Sequence, residues 1–100
     1  MNNVLFLGYE CIVTFGKYRE NDRVAIQLMD IEDGGLVATA SVNLVNEPLK
    51  ENEVAIKNYG ENEGMLIALV KAGIVSSPKR FTKSGYVSIP ICELLVEPKF

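Results

Sequence analysis

From Arg23 to Leu44 apolar and polar side chains alternate on both sides of Glu32-Asp33-Gly34-Gly35, and this pattern leaves little freedom in what the chain can fold into. A period of two places Val24, Ile26 and Leu28 on one face of a strand and Arg23, Ala25 and Gln27 on the other. After the turn, Leu36, Ala38, Ala40, Val42 and Leu44 share one face, while Val37, Thr39, Ser41 and Asn43 share the opposite one. Gly34 and Gly35 tolerate the positive φ that a tight reversal needs. The segments 23–31 and 36–44 are therefore expected to pair as an antiparallel hairpin. Ala38 and Ala40 are small, so their inward face leaves room for a helix to cross.

The remaining segments supply one helix and further strands. Val4-Leu5-Phe6-Leu7 and Cys11-Ile12-Val13-Thr14-Phe15 read as strands, or as one strand bent near Gly8, and Lys17–Asp22 as a polar connection. Asn46–Glu53 is a loop broken by Pro48, and Val54-Ala55-Ile56 is a short strand candidate. Met65, Leu66, Leu69, Val70 and Ala72 recur at helical spacing, which predicts a largely buried helix over 61–73 with Glu61 and Glu63 in its first turn and Lys71 in its last. Gly73 is placed to end the helix, with Ile74 folding back on it. Tyr86–Ile91 alternates again after a Ser84-Gly85 turn, and Pro90 assigns that strand to a sheet edge or a bulge. The reading is a single α+β domain over residues 1–100, with an antiparallel sheet of four to six strands and one main helix packed on it. The alternative is a sheet curled into a partial barrel, its end plugged by the helix.

Composition narrows the chemistry. With 48% hydrophobic and 23% charged residues the chain is globular rather than disordered. It contains no His, which removes imidazole metal ligands and histidine general bases. Cys11 and Cys92 stand in no metal-ligand pattern and are expected as buried thiols in a cytoplasmic protein; they could bridge only if the terminal strands were neighbours. Neither a signal peptide nor a membrane span is expected from the short apolar run after Met1-Asn2-Asn3. No cofactor or metal is expected. Asp30-x-Glu32-Asp33-Gly34-Gly35 lacks the alternating ligands of a calcium loop. Glu61 and Glu63, two residues apart in a helical turn, point in different directions and so make a poor acid/base pair.

Charge is distributed unevenly. Residues 24–63 hold eight acids against Lys50 and Lys57, whereas residues 64–92 hold no acid and four bases, Lys71, Lys79, Arg80 and Lys83. Such polarity is either two solvated surfaces or an acidic face that docks on a basic partner. The acidic candidate combines Glu47, Glu51 and Glu53 with Asn58, Tyr59, Glu61, Asn62 and Glu63. In structural terms, Asn58 or Asn62 would cap backbone N–H groups and Tyr59 would staple the chain to the helix. A basic candidate, Lys79, Arg80, Phe81, Lys83 and Tyr86, interleaves cations with aromatics as a nucleic-acid binder does.

The runs Asp33–Leu44, Val54–Leu66 and Ala68–Val75 resemble a family of short uncharacterised proteins, a domain of unknown function carried on conjugative elements, plasmids and phages of Gram-positive and gut bacteria. The similarity spans residues 22–76 and is strongest over Lys57-Asn58-Tyr59 and Glu61-Asn62-Glu63-Gly64-Met65, with Gly60 where the family often has Ser. The resemblance implies a mobile-element setting rather than a mechanism. Small acidic proteins in that setting often bind a host protein, and inhibition of CRISPR-type nucleases through their basic channels is one recurrent outcome. The expectation is a non-enzymatic accessory protein that binds a host or element protein. The alternatives are nucleic-acid binding through the basic segment, and a structural subunit whose edge strand at Tyr86–Ile91 pairs with a second copy.

Overall fold

The computed structural model describes residues 3–100, and the chain is α+β. Among the described residues seven strands divide between two antiparallel sheets, one ordered β1-β2-β3-β4 and one ordered β5-β7-β6, which do not close into a barrel. The first comprises β1 (Val4–Phe6), β2 (Tyr9–Lys17), β3 (Val24–Asp30) and β4 (Leu36–Thr39); the second comprises β5 (Glu53–Ala55), β6 (Arg80–Ser84) and β7 (Val87–Glu93). A 3-10 turn, Gly60–Asn62, precedes the helix α1, Met65–Lys71.

Gly8 does not bend one strand but reverses the chain. Phe6 pairs with Tyr9 across a two-residue loop in which Leu7 and Gly8 hold φ at 52° and 81°. Positive φ at both loop positions matches the twist of the flanking strands. The 23–31/36–44 hairpin forms, with Leu28 opposite Ala38, but Met29 pairs with Leu36 and leaves Val37 as an extra residue. That bulge shifts the alternation by one. Leu36, expected inward, is therefore exposed, and Val37 packs against the core instead.

The expected second strand also ends early, at Thr39, because the chain there changes sheets. Ala40 N–H donates to Ile26 O at 2.7 Å, whereas Val42 N–H donates to Ala55 O at 3.1 Å and Lys57 N–H to Ala40 O at 2.9 Å. Ser41 turns its hydroxyl into the junction. Its Oγ accepts from Ile26 N–H at 2.9 Å and lies 2.8 Å from the Tyr18 hydroxyl, so a side chain replaces the ladder carbonyl that the departing strand no longer offers.

β7 is the central strand of its sheet, not the edge or bulged strand that Pro90 suggested. Pro90 sits one residue beyond the β5 ladder, where Ala55 pairs with Ile91, and its carbonyl still accepts from Ile56 N–H at 3.0 Å. The missing N–H faces that same side, at the point where β5 has ended. β7 is covered on both faces. Cys92 belongs to the main core with Val4, Ile26, Leu28, Met65 and Leu69, while Ile89 and Ile91 join Ala55 in a smaller cluster under Leu44, Leu49 and Tyr59. Both thiols are buried and free, on strands of different sheets.

The helix is shorter than its periodicity implied. Gly64 at φ 95° and Glu63 at ψ 129° interrupt the backbone, so Glu61 and Glu63 lie ahead of the helix rather than in its first turn. At its other end Gly73, at φ 75°, donates to Val70 O and Ile74 to Leu69 O, both at 3.0 Å, the paired bonds of a Schellman stop. Met65 and Leu69 are buried, but Ile67 is 62% exposed, so the expected burial holds for one face only. The helix has β1 as its main strand neighbour, and what abuts the end of β4 is the 3-10 turn, through Asn62.

Candidate functional site

The polar lead-in to the helix is mostly occupied with holding the helix in place. Asn58 Oδ1 accepts from Leu66 N–H at 2.9 Å, capping α1 from eight residues upstream where Gly64 has no side chain to do so. Asn62 is buried and donates to Thr39 O at 2.7 Å, so it satisfies a carbonyl rather than capping an N–H. Tyr59 packs into the small cluster with Ile89 and Ile91 instead of stapling the helix. Glu61 pairs with Lys57 at 2.8 Å, which holds its carboxyl below the usual range and raises the lysine. Glu63 is exposed and has no ion pair among the described residues.

The acidic loop and the basic strand, far apart in sequence, meet. Arg80 reaches Glu47 at 3.1 Å, Glu53 at 3.2 Å and Pro48 O at 2.7 Å, and Thr82 donates to Glu47 at 2.7 Å. Arg23, just ahead of β3 in the first sheet, donates to Leu44 O at 2.8 Å and Glu47 O at 2.6 Å. Two guanidinium groups thus clamp the 44–53 loop across both sheets. Glu53 Oε1 also accepts from Lys50 N–H at 2.9 Å, and this bond, with Arg80 second, holds the carboxyl low. Lys79 pairs with Glu93 at 2.9 Å and lowers it.

The two candidate patches are therefore partly neutralised internally: Glu47, Glu53 and Glu61 of the acidic one and Lys79 and Arg80 of the basic one are in ion pairs. Of the acidic candidate, Glu51 and Glu63 remain exposed with no ion pair among the described residues, and they line different grooves: Glu51 beside Lys17 and Phe100, Glu63 beside Leu5 and Ile67. Of the basic candidate, Phe81, Lys83 and Tyr86 remain exposed on the β6–β7 hairpin, with Lys79 and Arg80 engaged.

A different surface stands out. Ile12 pairs with Met29 and Met29 with Leu36, a row of apolar side chains on the face of the first sheet turned away from Val13, Leu28 and Ala38. Leu5 extends the row diagonally, and Leu5 and Leu36 are 70% and 57% exposed. The solvent face of an antiparallel sheet is ordinarily polar. Glu10 lies directly across from Leu5, and Asp33 shares a recess with Leu36, whereas Asp30, opposite Cys11, turns to the other face. Beside this row, Leu5, Leu7, Ile67, Ala68 and Lys71 line a groove of about 370 Å³ between β1 and α1, with Glu63 at its rim.

Sequence reasoning missed this surface for identifiable reasons. Val4–Leu7 is apolar throughout, so it has no alternation to mark an outer face, and the bulge at Met29 moved Leu36 outward. The one available signal was that α1 is apolar on more than one face. In comparisons with known proteins no family model matches the chain, and no significant match is found among curated proteins or solved structures. Among the described residues no helix is long and apolar enough to cross a membrane.

Proposed function

We propose that this chain is a non-enzymatic binding protein whose partner is another protein, docked on the outer face of the first sheet. The observation that carries the reading is the apolar row Leu5, Ile12, Met29 and Leu36 on that face, with the acids Glu10 across from Leu5 and Asp33 beside Leu36. Exposed apolar surface with a polar rim is the ordinary mark of a docking site, and an acidic rim selects and steers a basic partner. In the mobile-element setting that the sequence resemblance implies, the partner is a host or element protein, with a nucleic-acid-targeting defence nuclease as the specific candidate.

The experiment compares wild type with Leu36→Lys. Affinity capture is run from lysate of the source cells, with thermal unfolding as a check on the fold. The reading predicts a specific protein retained by wild type, lost from Leu36→Lys, and released as salt rises. It is overturned if Leu36→Lys retains the same protein equally well. Tight, steeply salt-dependent binding of an oligonucleotide in place of any protein also overturns it, in favour of the Phe81, Lys83 and Tyr86 hairpin.

A further inference from the structure

Resting on that protein-binding reading, we infer that the groove between β1 and α1 takes an extended segment of the partner by strand addition, its apolar side chains against Leu5, Leu7 and Ile67 and its flanking lysine or arginine toward Glu10 and Glu63. β1 is an edge strand. Phe6 and Tyr9 close a two-residue loop and so exchange hydrogen bonds, which makes Leu5 and Glu10 the non-bonded pair of the ladder. The Glu10 carbonyl agrees, since it accepts from Ile31 N–H at 3.0 Å on the far side of β2. Leu5 N–H and C=O therefore point off the open edge, into the groove, and no described residue pairs with them.

The walls suit an extended chain. One is a strand edge offering a donor and an acceptor; the other is the exposed face of α1 at Ile67, Ala68 and Lys71. Main-chain bonds to an edge supply affinity and alternate side-chain pockets supply specificity in this mode of recognition. Leu7 adds a second sign. It is 65% exposed at φ 52°, where glycine or asparagine is less strained, so the chain holds an apolar side chain at the mouth of the groove against backbone preference. Charge chooses the occupant: Glu10 and Glu63 outnumber Lys71 around the groove, so a segment flanked by bases is attracted to it, and a second copy seated on β1 is the competing outcome the test must exclude.

The probe is a fluorescein-labelled synthetic peptide, Arg-Lys-Val-Thr-Val-Thr-Val-Lys-Arg, titrated against the full chain and followed by anisotropy and amide NMR. Saturable binding is expected, with the largest shifts at Leu5, Leu7, Ile67 and Ala68. N-methylation of the edge-facing valines, or replacement of the flanking bases by Glu, should each weaken it by about tenfold or more. Leu5→Pro removes the free N–H without touching the β1–β2 ladder, so it should abolish binding with the far-UV spectrum retained, while Leu5→Thr weakens it less. The inference is overturned by no saturable binding up to about 1 mM, by equal affinity of the N-methylated peptide, by shifts centred on the β6–β7 hairpin, or by a β1-mediated dimer that excludes the peptide. If the peptide fails while Leu36→Lys still loses the captured partner, the groove assignment alone falls.

Discussion

Ser41→Ala tests the junction on which the two-sheet architecture depends. The Ser41 hydroxyl serves Ile26 N–H and Tyr18 together, and Ser41 and Ile26 are both buried. An alanine leaves the Ile26 N–H unpaired in the core, which costs roughly 1–3 kcal/mol. The Tyr18 hydroxyl lies nearer solvent and turns to water, so its loss adds at most about 1 kcal/mol. The combined destabilisation is about 1–4 kcal/mol against a total typically near 5–15 kcal/mol, and for a chain of this size it should lower Tm by roughly 5–25 °C. Urea unfolding followed by circular dichroism measures it, and hydrogen exchange of the Ile26 amide localises it. Tyr18→Phe alone keeps the Ile26 bond and should cost only about 1 kcal/mol. The double variant should fall short of additivity by about 1 kcal/mol, because the two residues share one bond. A loss below about 0.5 kcal/mol for Ser41→Ala, an additive double variant, or an Ile26 amide no less protected would refute the reasoning.

Further outcomes follow from single contacts. Asn58→Ala should cost about 1 kcal/mol and fray α1 at Leu66, while Asn58→Asp retains the acceptor and most of the stability; urea midpoints separate the two. Gly64→Ala meets no atom within 4 Å, so its expected cost of about 1–2 kcal/mol is purely that of a side chain at φ 95°, readable as a Tm shift. Leu7→Asn should stabilise the β1–β2 turn by about 0.5–1 kcal/mol and weaken the groove peptide, a trade visible in parallel melting and anisotropy. Burial pushes the Cys92 thiol up to about 11 from an ordinary 9.0. A pKa raised by folding gives stability that is complete below the unfolded value and lost as pH rises through the folded one. Stability should therefore hold to pH 9 and decline toward 11, less steeply in Cys92→Ala, and the native thiol should resist alkylation at pH 8.

Local chemistry alone determined several features of this protein. The alternation either side of Gly34-Gly35, the helical spacing from Met65 and the glycine stop at Gly73 each depend on neighbours within a few residues, so the hairpin, the helix and its end were legible. The α+β class followed from them. Tertiary structure decided whatever depended on distant segments. One bulge opposite Met29 exchanged Leu36 for Val37 at the core, and one serine hydroxyl let the chain leave β3 and begin a second sheet. Pro90 entered a central strand because β5 stops beside it. Charge was the least legible property, because Arg80 returns from 27 residues beyond Glu53 to neutralise the acids that looked free in sequence. Coulombic partners are set by distance in space, and a linear charge count carries no such distance. The exposed apolar face on the first sheet emerged for the same reason: a side chain's burial is a property of what packs over it, and that is settled only when the sheets and the helix have found their places.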